Sequence, residues 1–202
     1  MVISTSSLSS VCVYCGSSNA ADRDFLDAAS AFGQGLAAEG VRLVYGGGGV
    51  GLMGAVAKAA HDHGGKVLGV MPQFLRSREM LYDEVETVVV TSMHERKMMM
   101  FEQSDAFVVL PGGIGTLEEV VELLSWRRLD LHRKPIVFLD QKGFWQPLFD
   151  LIDHTIEGHL TPAAFRAAWR SVDKVEDLLP ALRTMLDETG DVNMMPQAAD
   201  LT

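Results

Sequence analysis

Residues 111–119 read Pro-Gly-Gly-Ile-Gly-Thr-Leu-Glu-Glu and follow an apolar run at 107–110. The run is typical of a buried parallel strand, and the residues from 117 to about 129 have the pattern of an amphipathic helix. Glycine lets backbone N–H groups come close to a ligand, and a helix start offers unpaired N–H donors. A strand, a glycine loop and a helix start in this order therefore predict an anion site, and we expect the anion to be a phosphate.

The same residues also allow a purely structural interpretation. Thr116 and Glu119 have the T-x-x-E spacing of a capping box. In that motif Thr116 is the N-cap, and the Glu119 carboxylate accepts a hydrogen bond from the Thr116 backbone N–H. The glycines would then form only a tight turn between strand and helix. The local sequence leaves both interpretations open.

Length and composition favour one globular α/β domain. The chain has 202 residues and is 48% hydrophobic, so we expect a single domain over 1–202, with an ordered core at about 10–187 and loose tails at 1–9 and 189–202. The net charge of −10 argues against a nucleic-acid partner. The N-terminus lacks the pattern of a signal peptide, and no apolar run is long enough to cross a membrane. We therefore predict a cytoplasmic protein with no membrane partner.

The two cysteines, Cys12 and Cys15, have a C-x-x-C spacing. A redox pair needs a setting that lowers a thiol pKa, such as a helix N-terminus. Cys12 instead lies inside a predicted strand, where successive side chains alternate faces. We therefore interpret the pair as two buried, reduced thiols.

Strand and helix patterns alternate along the chain, which predicts an α/β protein with a doubly wound parallel sheet. In such sheets a ligand lies at the carboxyl ends of the strands, near the switch in strand order. The glycine- and serine-rich turns after the first, second and fifth strands fall at this edge.

We also expect a flap at 73–84 and a helix starting at Thr161 and Pro162. The predicted strands are 10–14, 41–45, 66–70, 85–90, 105–110, 135–139 and 169–172, and the helices are 22–39, 52–62, 93–104, 117–129, 144–157 and 175–186.

A second glycine loop, at residues 46–54, contains G-x-G-x-x-G at Gly49, Gly51 and Gly54. A dinucleotide site would also need an acidic residue at the end of the next strand. That strand ends in Met71 and Pro72 instead. We therefore expect a loop that approaches the ligand closely, and not an NAD site.

Arg96 and Lys97 lie on a predicted helix that is rich in methionine. Charged residues on a helix usually face solvent, but much of this helix is apolar and should be buried. A cation beside a buried face needs a partner. We therefore expect both residues to contribute to a site.

Taken together, these motifs resemble the Lonely Guy (LOG) family of cytokinin riboside 5′-monophosphate phosphoribohydrolases. PGGIGTLEE matches the PGGxGTxxE motif of that family, and MHERK precedes it as in the family. The resemblance covers roughly residues 10–187 and implies a Rossmann-like fold. Its other blocks are VCVYCGSS, LVYGGGGVGLMG, VLGVMP, SREM, WRRLDLHRKPI and GFWQPLFDLID.

The resemblance implies roles for individual residues. Arg96 and Glu119 match the catalytic positions. Ser125 stands where many relatives have threonine, and Arg127 and Arg128 replace an Ala-Gln pair that is common in plant members. The implied substrate-binding residues are Glu79, Arg96, Lys97, Gly112, Gly113, Ile114, Gly115, Thr116, Leu117, Glu118 and Ser125.

The implied substrate is a small-molecule nucleoside 5′-monophosphate, namely an N6-substituted adenosine monophosphate or AMP itself. Cleavage of its N-glycosidic bond passes through an oxocarbenium-like sugar, which the Glu119 carboxylate would stabilise. Arg96 would offset the repulsion between Glu119 and the phosphate.

No histidine spacing indicates a metal site, so we expect neither a metal nor a cofactor. The resemblance and the apolar load of helices 93–101 and 117–131 both predict a homodimer or a larger even homo-oligomer.

Two other functions remain as alternatives. Molybdenum-cofactor carriers use similar glycine loops to hold a nucleotide-like ligand without chemistry. The Arg96 and Glu119 pair distinguishes the enzyme from such a carrier. A nucleotidase that cuts the phosphate ester is the third candidate, and it would require a metal or a nucleophile that the sequence does not show.

Overall fold

A computed structural model describes residues 8–77 and 80–189 of the chain. Seven strands form one parallel sheet in the order β4-β3-β2-β1-β5-β6-β7. The predicted parallel α/β sheet is therefore confirmed. The strands are β1 Ser10–Tyr14, β2 Arg42–Tyr45, β3 Val67–Pro72, β4 Glu86–Val90, β5 Ala106–Val109, β6 Ile136–Leu139 and β7 Arg170–Val172.

Within residues 8–77 and 80–189, six α-helices cover the two faces of this sheet. Helices α1, α2 and α6 pack on one face, and α3, α4 and α5 pack on the other. None of the helices in the described part of the chain is long and apolar enough to span a bilayer. The helices are α1 Arg23–Ala38, α2 Gly51–Asp62, α3 Met93–Glu102, α4 Ile114–Arg128, α5 Gln146–Glu157 and α6 Leu178–Thr189.

The order of the strands changes direction at β1. Strand β1 pairs with β2 on one side and with β5 on the other, so that Val11 lies opposite Leu43 and Ala106. Helix α1 leaves the end of β1 toward one face, and α4 leaves the end of β5 toward the other. Diverging connections of this kind leave a crevice at the carboxyl ends of the two strands.

A carboxylate joins β1 to β5 at the opposite edge of the sheet. One oxygen of Asp105 accepts hydrogen bonds from the backbone N–H of Ser9 and Ser10, at 2.9 and 2.8 Å. The same oxygen accepts from the two serine hydroxyls, at 2.6 and 2.9 Å. Burial raises the pKa of Asp105, but the hydrogen bonds outweigh it and the pKa is lowered overall. We call this arrangement the Asp105 clasp.

The structure corrects the predicted start of α4. The helix begins at Ile114, not at residue 117, and Gly113 is its N-cap without a side-chain hydrogen bond. Because the backbone of Gly113 is extended and its carbonyl accepts from Leu117 N–H at 3.0 Å, Thr116 lies inside the first turn. The capping-box interpretation of Thr116 and Glu119, one of the two that the sequence left open, is therefore wrong.

The helix predicted after Thr161 and Pro162 is also wrong. Pro162 instead precedes a 3₁₀ segment at Ala163–Ala168. The last α-helix starts at Leu178, after a short 3₁₀ turn at Val175–Asp177. Such turns need few residues and leave only a weak periodic signal in the sequence.

The two cysteines are buried, as predicted, and no disulfide joins them. Cys12 packs in the core on the α3–α5 face, and Cys15 packs in the core on the α1–α2 face. The alternation of side chains along β1 therefore separates them. The pair is not poised as a redox motif.

Helices α1 and α2 approach each other closely at Gly33, and this contact generates a prediction. A Cβ atom at Gly33 would lie 2.3 Å from the Val56 carbonyl oxygen, whereas a Cβ at Gly35 of the same helix would meet nothing within 4 Å. We expect Gly33→Ala to lower the free energy of unfolding by about 1–3 kcal/mol because the helices must separate. Gly35→Ala should raise it by about 0.5–1 kcal/mol.

Urea denaturation of the two variants and the parent chain checks this prediction. Both substitutions add the same methyl group to the same helix, so Gly35→Ala is the matched control for Gly33→Ala. Equal stability of the two variants would contradict the assigned helix contact.

Candidate functional site

A cavity of about 530 Å³ opens at the carboxyl ends of β1 and β5. The loop after β1, at residues 15–18, forms one side. The segment at residues 111–116, which joins β5 to α4 and includes the first residues of that helix, forms another. Side chains of α1, α2, α3 and α4, together with Leu75 and Phe144, close the remaining sides. The cavity thus lies at the switch in strand order, where the sequence predicted the ligand.

Glycine stands at positions 112, 113 and 115, after β5, for different structural reasons. A Cβ at Gly112 would lie 2.2 Å from the Thr116 hydroxyl oxygen, so this glycine is required by the protein itself. Cβ atoms at Gly113 and Gly115 would meet nothing within 4 Å. These two glycines keep open the space in front of the α4 N-terminus, where backbone N–H groups and the helix dipole favour an anion.

Arg96 reaches the cavity from α3. Ser92 caps this helix by accepting a hydrogen bond from Glu95 N–H at 3.1 Å. Arg96 is only 3% exposed and donates to the Gly46 carbonyl oxygen over 2.9 Å. A Cβ at Gly46 would lie 2.0 Å from the Arg96 Nη2 atom, so a glycine at the end of β2 makes room for the guanidinium.

Glu119 lines the same cavity from the second turn of α4. Its carboxylate lies near the end of β1. Burial raises the pKa of Cys12 and of Tyr14, and the Glu119 charge contributes further to both shifts. The two residues implied as catalytic, Arg96 and Glu119, therefore line one cavity.

Lys97 does not line the cavity and instead forms ion pairs with side chains of α4. It is 8% exposed, and its Nζ atom lies 2.5 Å from Glu118 Oε1 and 2.8 Å from Glu122 Oε2. Burial lowers the pKa of Lys97, but the hydrogen bonds and charges of the two carboxylates outweigh it, so the pKa is raised. Lys97 is a buried cation with two partners, in accord with the expected burial.

The second glycine loop makes its closest approaches to the protein's own backbone. A Cβ at Gly51, whose φ is +60°, would lie 2.5 Å from the carbonyl carbon of Ser17. A Cβ at Gly54 would lie 2.3 Å from the Gly49 carbonyl oxygen. Gly51 lets the start of α2 pack against the loop after β1, and Gly54 lets the first turn of α2 pack against Gly49. These contacts are a structural reason for the G-x-G-x-x-G spacing.

The other implied binding residues fall in several places. Ile114, Thr116 and Glu118 line the cavity with the three glycines of the loop. Leu117 is partly buried and packs against the core. Ser125 is exposed on α4 and donates to the Val121 carbonyl at 2.8 Å. Glu79 lies outside the described residues.

The apolar part of the cavity wall is assembled from distant parts of the chain. Six side chains from five separate segments form it, and their sequence positions carry no shared periodicity. They are Phe25, Leu52, Met53, Leu75, Met93 and Phe144. Leu75 belongs to the predicted flap at 73–84, so part of that segment does border the cavity.

A metal site is not evident in the described ranges. Over residues 8–77 and 80–189, no group of three or more His, Cys, Asp or Glu side chains is placed to hold a metal ion. The chemistry available to the cavity is that of a guanidinium, carboxylates, backbone N–H donors and an apolar wall.

Comparison with known proteins places this chain in a family. The family model described as "possible lysine decarboxylase" matches residues 53–182. The probable cytokinin riboside 5′-monophosphate phosphoribohydrolase LOGL3 of Oryza sativa subsp. japonica is 42% identical over 177 residues, which cover 84% of each chain. LOGL2 of the same plant is 47% identical over 156 residues, 76% of this chain and 64% of that protein. LOG3 of Arabidopsis thaliana is 44% identical over 156 residues, 76% of this chain and 73% of that protein.

Solved structures with the same fold are more distant in sequence. The molybdenum cofactor binding protein from Rippkaea orientalis has a TM-score of 0.68 at 22% identity, over 90% of this chain and 99% of that chain. The Moco carrier protein from Chlamydomonas reinhardtii has a TM-score of 0.68 at 21% identity, with the same coverage. At such identities the likeness concerns the fold alone.

The family model spans the segment that holds Arg96, the glycine loop and Glu119, and the relatives named above extend the match across most of the chain. This chain therefore belongs to the Lonely Guy (LOG) family of cytokinin riboside 5′-monophosphate phosphoribohydrolases.

Proposed function

We propose that this protein hydrolyses the N-glycosidic bond of N6-substituted adenosine 5′-monophosphates, and of AMP, to the free base and ribose 5-phosphate. The observation that carries the proposal is that Arg96 and Glu119 line one cavity with the open glycine loop at 112–115. The relatives that match most of this chain are named for the same reaction class. The substrate-binding and catalytic roles of individual residues are part of this proposal.

The phosphate of the substrate would bind at the start of α4. The space over Gly113 and Gly115 is open, and the first N–H groups of the helix have no intrahelical acceptor. Those donors, together with the positive end of the helix dipole, suit a phosphate dianion. A neutral nucleoside would leave them without an anion.

The base would occupy the apolar part of the cavity. Met53 and Met93 provide flexible, polarisable side chains that can follow a flat ring, and Phe25 adds an aromatic wall. The volume of about 530 Å³ lies in the usual range for sites that bind small molecules. A substituent on N6 of adenine would extend along the same wall.

Glu119 would act on the ribose, which lies between the phosphate and the base. Water adds to C1′ of the ribose as the bond from C1′ to the base nitrogen breaks, and the electron pair leaves with the base, which takes up a proton. The carboxylate stabilises the positive charge that develops on the sugar and orients the water. Arg96 offsets the repulsion between this carboxylate and the phosphate, and so allows both to occupy one cavity.

Two other activities have less support. A carrier of the molybdenum-cofactor type shares the fold. Binding without chemistry gives no role to a carboxylate beside an anionic ligand, because like charges repel. A decarboxylase that works through a Schiff base needs a lysine in the cavity. Among the described residues that line the cavity none is a lysine, and Lys97 is held by two carboxylates behind the wall.

We further propose that the protein acts in the cytoplasm as a homodimer or larger even homo-oligomer, as one nucleotide-binding domain with no nucleic-acid partner. The net charge of −10 supports the absence of a nucleic-acid partner. Exposed apolar side chains on α4 and just after it support self-association, because they would otherwise face water. They are Ile114, Val121 and Leu129.

The first prediction from the proposed function tests Glu119 as the catalytic carboxylate. Glu119→Gln removes the charge and keeps the shape, and α4 begins without using Glu119 as a cap. We expect kcat for isopentenyl-AMP and AMP to fall roughly 10²-fold or more, while the free energy of unfolding changes by less than about 1 kcal/mol. Product assays and thermal melts measure the two effects. Glu157→Gln, on the exposed face of α5, is the control. Near-normal turnover by Glu119→Gln would contradict the catalytic role and favour a carrier that binds its ligand without chemistry.

The second prediction concerns the phosphate. Gly115→Ala places a methyl group in the open space before α4, where it meets no protein atom within 4 Å. We expect the melting temperature to be unchanged or slightly higher, and kcat/KM for AMP to fall about 10- to 100-fold as charge-assisted hydrogen bonds to the phosphate are lost. In the parent chain adenosine should be a far poorer substrate than AMP. Comparable kcat/KM for adenosine and AMP would refute the phosphate site.

The third prediction concerns assembly. Val121→Glu places a charge on the exposed apolar face of α4, and we expect it to dissociate the assembly because a buried charge without a partner is costly. Light scattering at micromolar concentration should then give the mass of one chain, 22.0 kDa. Ala38→Glu, exposed at the end of α1 on the other face of the sheet, is the control. A parent chain that is itself monomeric would refute the proposed assembly.

A further inference from the structure

Lys97 is shared by two carboxylates that differ in their surroundings. Its Nζ atom lies 2.5 Å from Glu118 and 2.8 Å from Glu122, one turn apart on α4. The side chain of Glu118 is 52% exposed and lines the cavity, whereas that of Glu122 is 30% exposed and does not. Only Glu118 therefore borders the space that a ligand would enter.

The position of Lys97 limits what the two carboxylates can do. Its side chain is 10% exposed, so its ammonium group is largely removed from water. An ammonium group in such a place is strongly destabilising when it has no partner. At least one carboxylate must therefore stay with Lys97 whenever the other binds elsewhere.

We propose that Glu122 is a positioning residue, the permanent counter-ion of Lys97, which frees Glu118 to bind the ribose hydroxyls of the substrate. This inference rests on the proposed function, which supplies the ribose. A carboxylate accepts hydrogen bonds from both hydroxyls of a vicinal pair, and this is the chemistry that Glu118 offers at the cavity wall. Glu122 acts only through Lys97 and Glu118.

The arrangement has a specific consequence for variants. When Glu122 loses its charge, Glu118 is the remaining carboxylate of this cluster that pairs with Lys97. Moving Glu118 toward a ligand would then leave a buried cation without a carboxylate partner from this cluster. Glu118 is then held away from the sugar although its own side chain is intact. Glu122→Gln should therefore impair recognition of the 2′-hydroxyl in the same way as Glu118→Gln.

The test compares AMP with 2′-deoxy-AMP in five proteins. They are the parent chain, Glu118→Gln, Glu122→Gln, a double variant of both glutamates that also carries Lys97→Met so that no buried cation is left without a partner, and the control Glu157→Gln. The measured quantity is the ratio of kcat/KM for the two substrates, since their difference in intrinsic reactivity cancels when variants are compared. We expect the preference for AMP to fall about tenfold in each single variant, mainly through KM, and no further in the double variant. The control should keep the parent ratio.

Two additional measurements separate positioning from stability. Glu122→Asp retains the charge and should restore most of the preference for AMP, whether or not Glu122→Gln folds well. Thermal melts accompany every variant. If Glu122→Gln melts at a lower temperature but keeps the parent ratio, Glu122 is a structural ion-pair partner only and the inference is overturned. Additive losses in the double variant overturn it as well.

A binding measurement keeps the inference testable apart from the reaction. If the parent chain cleaves neither nucleotide, the proposed function fails, and calorimetric titration with ribose 5-phosphate and 2-deoxyribose 5-phosphate takes the place of kinetics. The inference then requires that the parent chain prefer ribose 5-phosphate and that Glu122→Gln lose this preference. Equal binding of the two sugars by the parent chain would overturn it.

Discussion

The parallel pairing of β1 with β5 is the constraint on which the cavity depends. It places two strands side by side whose following helices must depart to opposite faces of the sheet. No helix can then cover the space between the two strand ends. The loop after β1 and the glycine loop after β5 meet across this gap, and the Gly16 N–H donates to the Pro111 carbonyl at 3.0 Å. The position of the cavity thus follows from strand order, and its chemistry follows from the residues in the two loops and on α3 and α4.

Adjacent residues of α3 bind to different parts of the protein. Arg96 points to the end of β2, where a glycine leaves room for its guanidinium, and Lys97 points to the carboxylates of α4. One cation therefore belongs to the cavity, and the other ties α3 to α4 behind it. Two consecutive charges on one helix would each cost free energy if they were buried without such partners. Their separate partners also fix the rotation of α3 about its axis, because the two side chains must reach different neighbours.

The fold and the centre of the site could be predicted because they leave local signals. Buried parallel strands read as apolar runs, and the glycine loop at 111–116 marks the end of one. The start of α4 was misplaced because Gly113 serves as an N-cap through its backbone alone, while Thr116 carried the more familiar side-chain signal. Glu122 and the apolar wall formed by residues such as Phe25 and Phe144 were missed because they meet only through tertiary packing. Ser125, implied by resemblance alone, lies outside the cavity of this chain.

The Asp105 clasp has a consequence for how the chain acquires its structure. It joins two segments that lie 95 residues apart, and the β1–β5 ladder beside it has the same long separation. Closing so long a loop costs conformational entropy before any contact compensates for it, whereas β1, α1 and β2 can associate over short distances. On a ribosome that adds about 5–20 residues per second, roughly 5–20 s separate the synthesis of the two halves of the clasp. We therefore expect the cavity to form late, after its first strand has already paired on one side.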